Sequence, residues 1–520
     1  MGEELLQFYR TRLKKEYKSA FTFTFFCVLI IHLYKFVNTL PCHDSVYNYY
    51  SSQNMLGSGR WALSLACGMT SYFDLPWVIG LFSCVFIAMT VVVIVALFQL
   101  KNPILIGLIG ALFAASPATT ETFFFLYTAD GYMIAMFLAA MAVYFSKIEE
   151  KRFSKWILSG VCICVSCGIY QAYVSFALLL AVCYFIDGLL QNKYSKQVCF
   201  KWILCQAALY ITSLSAYYII WKLCMYFSGT VATDYQGISE VGKISLDLLI
   251  SGVLNSLKSI LFYFLQWNVL EHGFTLYSVL SILFVMFMTI GLIVSCMKSG
   301  IFKRKWAVGL LIFSLLVIVP FAGIWHFVSK YVYYRAMMLQ CLTLLFVLTA
   351  LFYERWGKTL AKNAICIFLI MIIMNNALMA NISYFYMNLC YERTYAEGVE
   401  MMIKIHELQD KYEFEQIAVV GIRTEGVAHK PIDTETGKML VVGKFYILSG
   451  LLENTLLYDS EHVTRFLKTT FGLDIEPLER SQRNELLNTA KVRAMGSWPA
   501  EDSIDVIDNI LIIKLSDDEE

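Results

Sequence analysis

The residues best suited to chemistry lie in a short polar stretch that follows the first apolar run of the chain. Pro41-Cys42-His43-Asp44-Ser45 places an imidazole beside a carboxylate, and Gly59-Arg60-Trp61 follows soon after. A carboxylate such as Asp44 can act as a general base when a nearby cation keeps it ionised, and His43 would tune it or donate a hydrogen bond to a sugar. The alternative makes Asp44 an N-cap residue of a helix that begins at Ser45.

A second stretch, Trp325 to Arg335, offers cations for a phosphate group. It contains His326, Lys330, Tyr334 and Arg335. Arginine presents a bidentate fork that matches phosphate oxygens, so Arg335 and Lys330 are predicted to stabilise a departing phosphate. The alternative is anchoring at the membrane interface, where Trp and Tyr are enriched and long basic side chains extend toward water.

Two breaks between apolar runs, one between the third and fourth and one between the fifth and sixth, carry further polar side chains. The residues are Glu121, Asp130, Tyr132, Tyr170 and Gln171. We expect them to bind sugar hydroxyls, and the two carboxylates could also act together with Asp44. Glu121 and Asp130 could instead be ordinary carboxylates at helix starts, which the helix dipole favours. The alternative for Tyr170 and Gln171 is interfacial packing.

The elements that must position these residues are membrane spans. The 520-residue chain is 58% hydrophobic and only 16% charged, which is typical of a polytopic, mainly α-helical membrane protein. Eleven apolar runs approach the roughly 20 residues needed to cross a bilayer. They lie near residues 20–37, 76–99, 103–117, 131–146, 156–169, 172–190, 202–226, 275–297, 307–324, 337–353 and 364–380. The first run is interpreted as a retained signal anchor, because no small-residue cleavage site follows it.

The loops between these runs alternate in charge. One set, which includes the N-terminus, holds 20 Lys and Arg residues, and the other set, which includes residues 38–75 and 227–274, holds few. The positive-inside rule places the basic set and the N-terminus in the cytoplasm and the C-terminus outside. We also expect two helices lying on the outer surface, from Val46 to Ser71 and from Ile244 to Leu270.

The charge balance divides the chain into two domains. Residues 1–380 carry 27 Lys and Arg against 15 Asp and Glu, whereas residues 381–520 carry 14 against 25. The first part is predicted to be the membrane domain and the second a small extracytoplasmic α/β domain. Its expected elements are a helix over Glu392–Tyr412, a strand over Gln416–Val420 and a strand over Ile510–Leu515. Beyond Cys390 the sequence has no cysteine, so this domain has no internal disulfide.

Several classes of function are disfavoured by the sequence. It contains no GxxxxGK[ST], GxSxG or HExxH motif. The basic loops are too short to hold a nucleotide-binding domain, so any sugar donor should be carried by a lipid. The cysteines of Cys162-x-Cys164-x-x-Cys167 lie in an apolar run without nearby His, and we interpret them as small hydrophobic residues. No metal site and no nucleic-acid partner are predicted.

Taken in order, these motifs resemble the bacterial O-antigen-type glucosyltransferase family of the glucosyltransferase II type, which is similar to the GT-C class of membrane glycosyltransferases. The resemblance spans most of the chain. It rests on His43-Asp44, Gly59-Arg60-Trp61, Pro117 to Glu121, Tyr170-Gln171, Tyr334-Arg335, Trp498-Pro499 and the terminal strand.

The resemblance implies transfer of glucose from polyprenyl-phosphate-glucose to a cell-surface glycan, at the outer face of the bacterial cytoplasmic membrane. We expect this transfer to invert the configuration of the sugar. It implies Asp44 as the catalytic acidic residue of the first outer loop. Ser45 stands where GT-C enzymes often have a second acid, which favours a base without a cofactor and leaves a divalent cation open. A flippase and a donor-synthesising glycosyltransferase would be natural partners. The alternatives are a lipid-linked sugar flippase or transporter and a surface-glycan polymerase.

Overall fold

The computed structural model describes residues 14–233, 237, 245–265, 275–329, 331–423 and 455–519. Of the predicted site residues, Lys330 lies outside the described residues. Most of the predicted surface helix over 244–270 is described, and its two ends are not.

The apolar runs form a helical bundle, because a helix satisfies its own backbone hydrogen bonds where water is absent. The bundle consists of α1 (Lys15–Val37), α2 (Leu63–Cys67), α3 (Pro76–Phe98), α4 (Pro103–Ala114), α5 (Pro117–Phe124), α6 (Ala129–Phe145), α7 (Phe153–Ile169), α8 (Tyr173–Leu190), α9 (Lys196–Ser228), α10 (Leu246–Leu265), α11 (Leu276–Ser299), α12 (Lys305–Leu316), α13 (Ile318–Ala322), α14 (Thr343–Trp356) and α15 (Thr359–Gln409). Proline occupies the first turn of α3, α4 and α5, where its missing N–H removes no helical hydrogen bond.

Eleven helical stretches of the described residues are long and apolar enough to cross a membrane, which confirms a mainly helical polytopic protein. The set differs from the prediction in two places. The predicted span 156–169 is the 17-residue α7, shorter than the others. Helix α10, predicted to lie on the surface, qualifies as a span by length and composition.

Helix α10 packs against the short helical turns that precede Arg335. Its Ser256 hydroxyl donates to the Gly323 carbonyl oxygen at 3.1 Å, and Ser259 Oγ lies 3.0 Å from His326 Nε2. Gly252 lies directly against the Phe327 ring. These contacts join α10 to residues 323–327, and its position on the surface stays a prediction.

The two kinds of loop occupy opposite ends of the bundle. At one end Arg304 donates to the Leu189 carbonyl oxygen at 3.0 Å, Lys298 donates to that of Trp356 at 2.6 Å, and Arg355 donates to Asp187 Oδ2 at 2.8 Å. We call this the basic end, and the end that carries residues 38–75 the cavity end. The alternation in charge is therefore built into the fold, whereas the side of the membrane that each end faces stays a prediction.

The predicted helix from Val46 to Ser71 is wrong. Residues 43–73 instead form two short 3-10 helices (His43–Tyr47 and Leu56–Ser58), the five-residue α2, a third 3-10 helix (Gly68–Thr70) and two isolated bridges, Met55 with Arg60 and Tyr50 with Phe73. Gly57-Ser58-Gly59 interrupts any helix here, and Gly59 has a φ of +83°. A left-handed residue ends helical hydrogen bonding and turns the chain back toward the bundle.

The C-terminal part is a small α/β domain, as predicted. Its strands are β1 (Gln416–Val420), β2 (Glu476–Pro477), β3 (Ile504–Ile507) and β4 (Ile510–Lys514), in the order β2-β1-β4-β3. Strand β1 is parallel to β2 and β4, and β3 is antiparallel to β4 across the two-residue turn Asp508-Asn509. The domain's helices are α16 (Ser460–Phe471), α17 (Arg480–Leu487) and α18 (Ala490–Ala494).

The junction between the two parts is a continuous helix. Helix α15 runs for 51 residues, so the division predicted at residue 380 falls inside it. The apolar core of the bundle ends at Met387, and the core of the C-terminal domain begins at Cys390. Two apolar cores thus meet within one helix, and the division into two domains stays a prediction.

Candidate functional site

A cavity of about 640 Å³ at the cavity end collects several of the predicted site residues. Its walls include Asp44, Arg60, Tyr132, Tyr170 and Arg335. These come from five separate segments of the chain. The remaining lining residues are Tyr47, Asn48, Asn54, Met55, Gly57, Ser58, Phe125, Tyr127, Thr128, Thr230, Thr233, Met337 and Met338.

Asp44 lies on the 3-10 helix His43–Tyr47, but it does not cap that helix. The N-cap is Cys42, whose amide donates to the Ser45 hydroxyl at 3.1 Å. The Asp44 carboxylate is 40% exposed and lies 3.4 Å from His43 Nε2. The carboxylate therefore faces the cavity with an imidazole beside it, which places a candidate proton acceptor in the cavity wall.

Arg60 is fixed by a pair of stacked tyrosines. Its guanidinium carbon lies 5.0 Å from the centre of the Tyr170 ring, and its Nη1 donates to the Tyr132 hydroxyl at 3.0 Å. The Tyr132 and Tyr170 rings stack at 4.1 Å with an angle of only 4° between them. A cation on an aromatic face keeps its charge while losing freedom, so Arg60 presents a positive charge of defined position.

The loop that carries Arg60 is held by α9 and by the break between α7 and α8. Gln171 Nε2 donates to the Ser58 carbonyl oxygen at 2.7 Å, and the Tyr217 hydroxyl donates to that of Gly59 at 3.0 Å. Trp221 donates to the Leu56 carbonyl oxygen at 2.8 Å. Gln171 thus supports the loop through its amide. Tyr217 and Trp221 were not predicted as site residues, since aromatic residues in a long apolar helix give no signal of their own.

Arg335 lies over a different aromatic ring of the cavity wall. Its guanidinium carbon lies 5.0 Å from the centre of the Phe125 ring, and the same ring is 5.9 Å from that of His43. Behind it, the buried Glu121 carboxylate accepts the Met337 amide at 2.7 Å, at the start of the 3-10 helix Ala336–Leu342. Glu121 thus holds the backbone next to Arg335 and does not line the cavity.

Three further predicted residues lie near the cavity without lining it. Asp130 is buried and accepts hydrogen bonds from the Thr70 hydroxyl at 3.1 Å and the Gly131 amide at 2.8 Å. Tyr334 accepts the Trp325 amide at 2.9 Å, and its ring lies 4.5 Å from that of His326. Burial lowers the pKa of His326 to about 4, so this imidazole is neutral near pH 7. Their positions suit structural support of the surrounding turns.

A second, apolar cavity of about 280 Å³ adjoins the first. Ser58, Arg60, Tyr170 and Met338 line both. The walls found only in the second cavity are mostly hydrophobic and include Leu214, Tyr217, Tyr218, Trp221, Trp325, Val328 and Val332. A polar chamber with two guanidinium groups therefore opens directly beside a chamber suited to hydrocarbon.

A larger cavity of about 1030 Å³ lies between α7 and α9. Its walls are mostly apolar, and Glu150, Lys151 and Lys201 line it toward the basic end. It does not contain Asp44, Arg60 or Arg335, so we do not place the chemistry there. Among the residues that the structure describes, no three His, Cys, Asp or Glu side chains are grouped so as to hold a metal ion.

The fold and the cavity thus define a polytopic helical membrane protein with a polar chamber at one end of the bundle. Residues 33–339 match the model of a family described as Glucosyl transferase GtrII, and the chain belongs to this family. Membership makes it a membrane glucosyltransferase, an enzyme that works with a sugar donor and an acceptor at a bilayer. No curated protein and no solved structure matches the chain.

Proposed function

We propose that this protein transfers glucose from polyprenyl-phosphate-glucose to a cell-surface glycan at the outer face of the bacterial cytoplasmic membrane. The observation that carries the proposal is the pair of adjoining cavities. One holds a carboxylate and two guanidinium groups, and the other is lined by hydrophobic side chains. A donor with a sugar-phosphate head and a hydrocarbon tail also has one polar part and one apolar part, which correspond to the two cavities.

Asp44 takes the role of general base. It removes the proton of the acceptor hydroxyl, whose oxygen then attacks the anomeric carbon of the donor sugar. The bond from that carbon to the phosphate oxygen breaks, and its electron pair stays on the phosphate. Attack from the face opposite the leaving group inverts the anomeric configuration.

Arg60 and Arg335 stabilise the departing phosphate. Both line the cavity, and each guanidinium rests on an aromatic ring, Tyr170 or Phe125. Cations that are already oriented toward developing negative charge lower the barrier, since little reorganisation accompanies the reaction. Arg60 also lines the apolar cavity, so the phosphate would bind near Arg60, at the junction of head and tail.

The first part of the test is the donor. Purified protein is incubated with a surface glycan and with either labelled polyprenyl-phosphate-glucose or labelled UDP-glucose, and label in the glycan is measured. We expect transfer from the lipid donor alone. Transfer from UDP-glucose alone would contradict the proposal.

The second part of the test is the base. Asp44→Asn keeps the size of the side chain but removes its basicity, so transfer should fall at least about 100-fold. The matched control is Asp247→Asn, an exposed carboxylate on α10, which should transfer at the wild-type rate. An Asp44→Asn variant with near-normal transfer would end the assignment of Asp44.

A further inference from the structure

We infer that the C-terminal domain positions Asp44 through a contact between Tyr47 and His462, which makes these two side chains positioning residues of the transfer reaction. This inference rests on the proposed role of Asp44. It gives a function to a domain that lies outside the matched family region, which ends at residue 339.

The 3-10 helix that carries Asp44 is anchored in the core of the C-terminal domain. Val46, two residues after Asp44, is only 3% exposed. It belongs to the same apolar core as Met401 and Ile405 of α15 and Val463 and Phe466 of α16. A residue of the first loop of the membrane domain is thus part of a core whose other buried members lie at residue 390 or later.

Tyr47 makes the polar half of the same contact. Its hydroxyl lies 2.7 Å from His462 Nδ1, and the two rings meet edge to face with centres 4.5 Å apart. The guanidinium carbon of Arg465, one turn further along α16, lies 4.8 Å from the centre of the Tyr47 ring. Two side chains of α16 therefore fix the position of this ring.

His462 is itself held by its neighbours, so the contact is stiff. Asp459 is the N-cap of α16; its Oδ1 accepts the His462 amide at 2.8 Å and lies 2.7 Å from His462 Nδ1. Tyr458 Oη lies 2.9 Å from His462 Nε2. Burial alone would raise the pKa of the Asp459 carboxyl, but the hydrogen bonds from His462 hold it below its usual value. An ionised carboxylate thus orients the imidazole.

The contact reaches Asp44 over a short path. Tyr47 and Asn48 both line the polar cavity, and Asn48 Nδ2 donates to the Asp44 carbonyl oxygen at 2.6 Å. On the other side, the His43 ring meets Phe125 of the membrane domain. The five-residue helix is therefore held between the two domains, and a shift of α16 would move the Asp44 carboxylate relative to Arg60 and Arg335.

The test compares kinetic constants and local dynamics of purified variants. Tyr47→Phe removes the hydroxyl and keeps the ring, His462→Ala removes the partner, and His462→Gln retains a polar side chain able to bond Tyr47. We expect kcat to fall about five- to twentyfold in the first two, because small misplacements of a reacting group are costly. The KM for the donor should stay within about twofold, since Arg60 and Arg335 are untouched.

Two further comparisons separate positioning from a general loss of stability. The double variant Tyr47→Phe/His462→Ala should be no slower than the slower single variant, because both remove one interaction, and His462→Gln should recover part of the lost kcat. Hydrogen exchange at the amides of residues 43–48 should rise in His462→Ala. The control is Lys468→Ala on the same helix, which removes only the exposed pair with Asp474 and should match the wild type in every measurement.

The outcomes distinguish this inference from the proposed function. If the wild type transfers glucose but Tyr47→Phe and His462→Ala are equally active, positioning by the C-terminal domain is wrong and the proposed function stands. Fully additive losses would also overturn the inference. If the wild type does not use the lipid donor, the proposed function is wrong, and unchanged hydrogen exchange at residues 43–48 in His462→Ala would then overturn the inference separately.

Discussion

At the scale of single residues, two aromatic side chains hold the Arg60 guanidinium in the polar cavity. Its guanidinium is oriented by the face of Tyr170 and by the Tyr132 hydroxyl, and the two rings stack on each other. Arginine suits this position because its planar fork can rest on a ring and still direct N–H groups toward phosphate oxygens. Lysine would supply the same positive charge but not the planar guanidinium group.

Arg60→Lys should therefore lower transfer although the net charge is unchanged. Charge-assisted hydrogen bonds contribute about 1.5–3 kcal/mol, so we expect a loss of about 10- to 100-fold in kcat/KM for the lipid donor. Steady-state kinetics with polyprenyl-phosphate-glucose measure it. Arg152→Lys, an exposed arginine in a loop at the basic end, is the matched control and should leave kcat/KM unchanged. Equal kcat/KM in both variants would show that the fork of Arg60 is not used.

At the scale of elements, the segment from Leu56 to Trp61 has its shape imposed by the helices around it. Gly59 lies in the left-handed region, and an added Cβ would be 2.5 Å from Tyr217 Oη and 2.7 Å from Gln171 Nε2. Those two atoms are the ones that hold the segment in place. A side chain at residue 59 would thus disrupt the support of Arg60 and not merely strain one residue.

Gly59→Ala should cost about 1–3 kcal/mol in backbone strain alone and should displace Tyr217 and Gln171. We expect a lower apparent Tm in detergent and a large loss of transfer. Gly309→Ala provides the control, because an added Cβ there meets open space within α12. Glycosyl transfer and Tm of the Gly309→Ala protein should be near wild type. A Gly59→Ala protein with normal transfer would show that Arg60 does not depend on this turn.

The sequence predicts elements well where a local physical pattern determines them. The apolar runs mark the helices, and the runs at Gln416–Val420 and Ile510–Lys514 mark the two central strands. The predicted helix from Val46 to Ser71 is wrong because Gly57-Ser58-Gly59 ends helical structure there, although the apolar residues around it have helical spacing. The actual path of that loop depends on hydrogen bonds from α9, which begins 125 residues beyond Ser71 and gives no local signal.

The residues of the candidate site divide in the same way. Asp44, Arg60 and Arg335 were predicted because a charge next to a long apolar run is costly unless it has a use. The supporting side chains Tyr217 and His462 were not. Tyr217 resembles any aromatic residue of a membrane helix, and His462 contacts Tyr47 across 415 residues of chain. Such contacts follow from the packing of whole elements and not from composition or spacing.

At the scale of the whole molecule, the C-terminal domain and the first long loop share one end of the bundle. Helix α15 leaves the membrane domain without interruption and enters the C-terminal core, which also takes in Val46. The polar cavity lies between these parts, and the basic loops lie at the opposite end. The side of the membrane reached by the C-terminal domain is therefore the side that Asp44 faces.

This arrangement lets a cysteine in the C-terminal domain report the orientation of the cavity. Asp505 and Lys151 are both exposed, one in the C-terminal domain and one at the basic end. With the basic end in the cytoplasm, a membrane-impermeant maleimide should label Asp505→Cys in intact spheroplasts and Lys151→Cys only after permeabilisation. The wild type, whose fifteen cysteines are buried or half-buried, gives the background. Labelling of Lys151→Cys but not Asp505→Cys in intact spheroplasts would place Asp44 in the cytoplasm and remove the basis for a donor presented at the outer face.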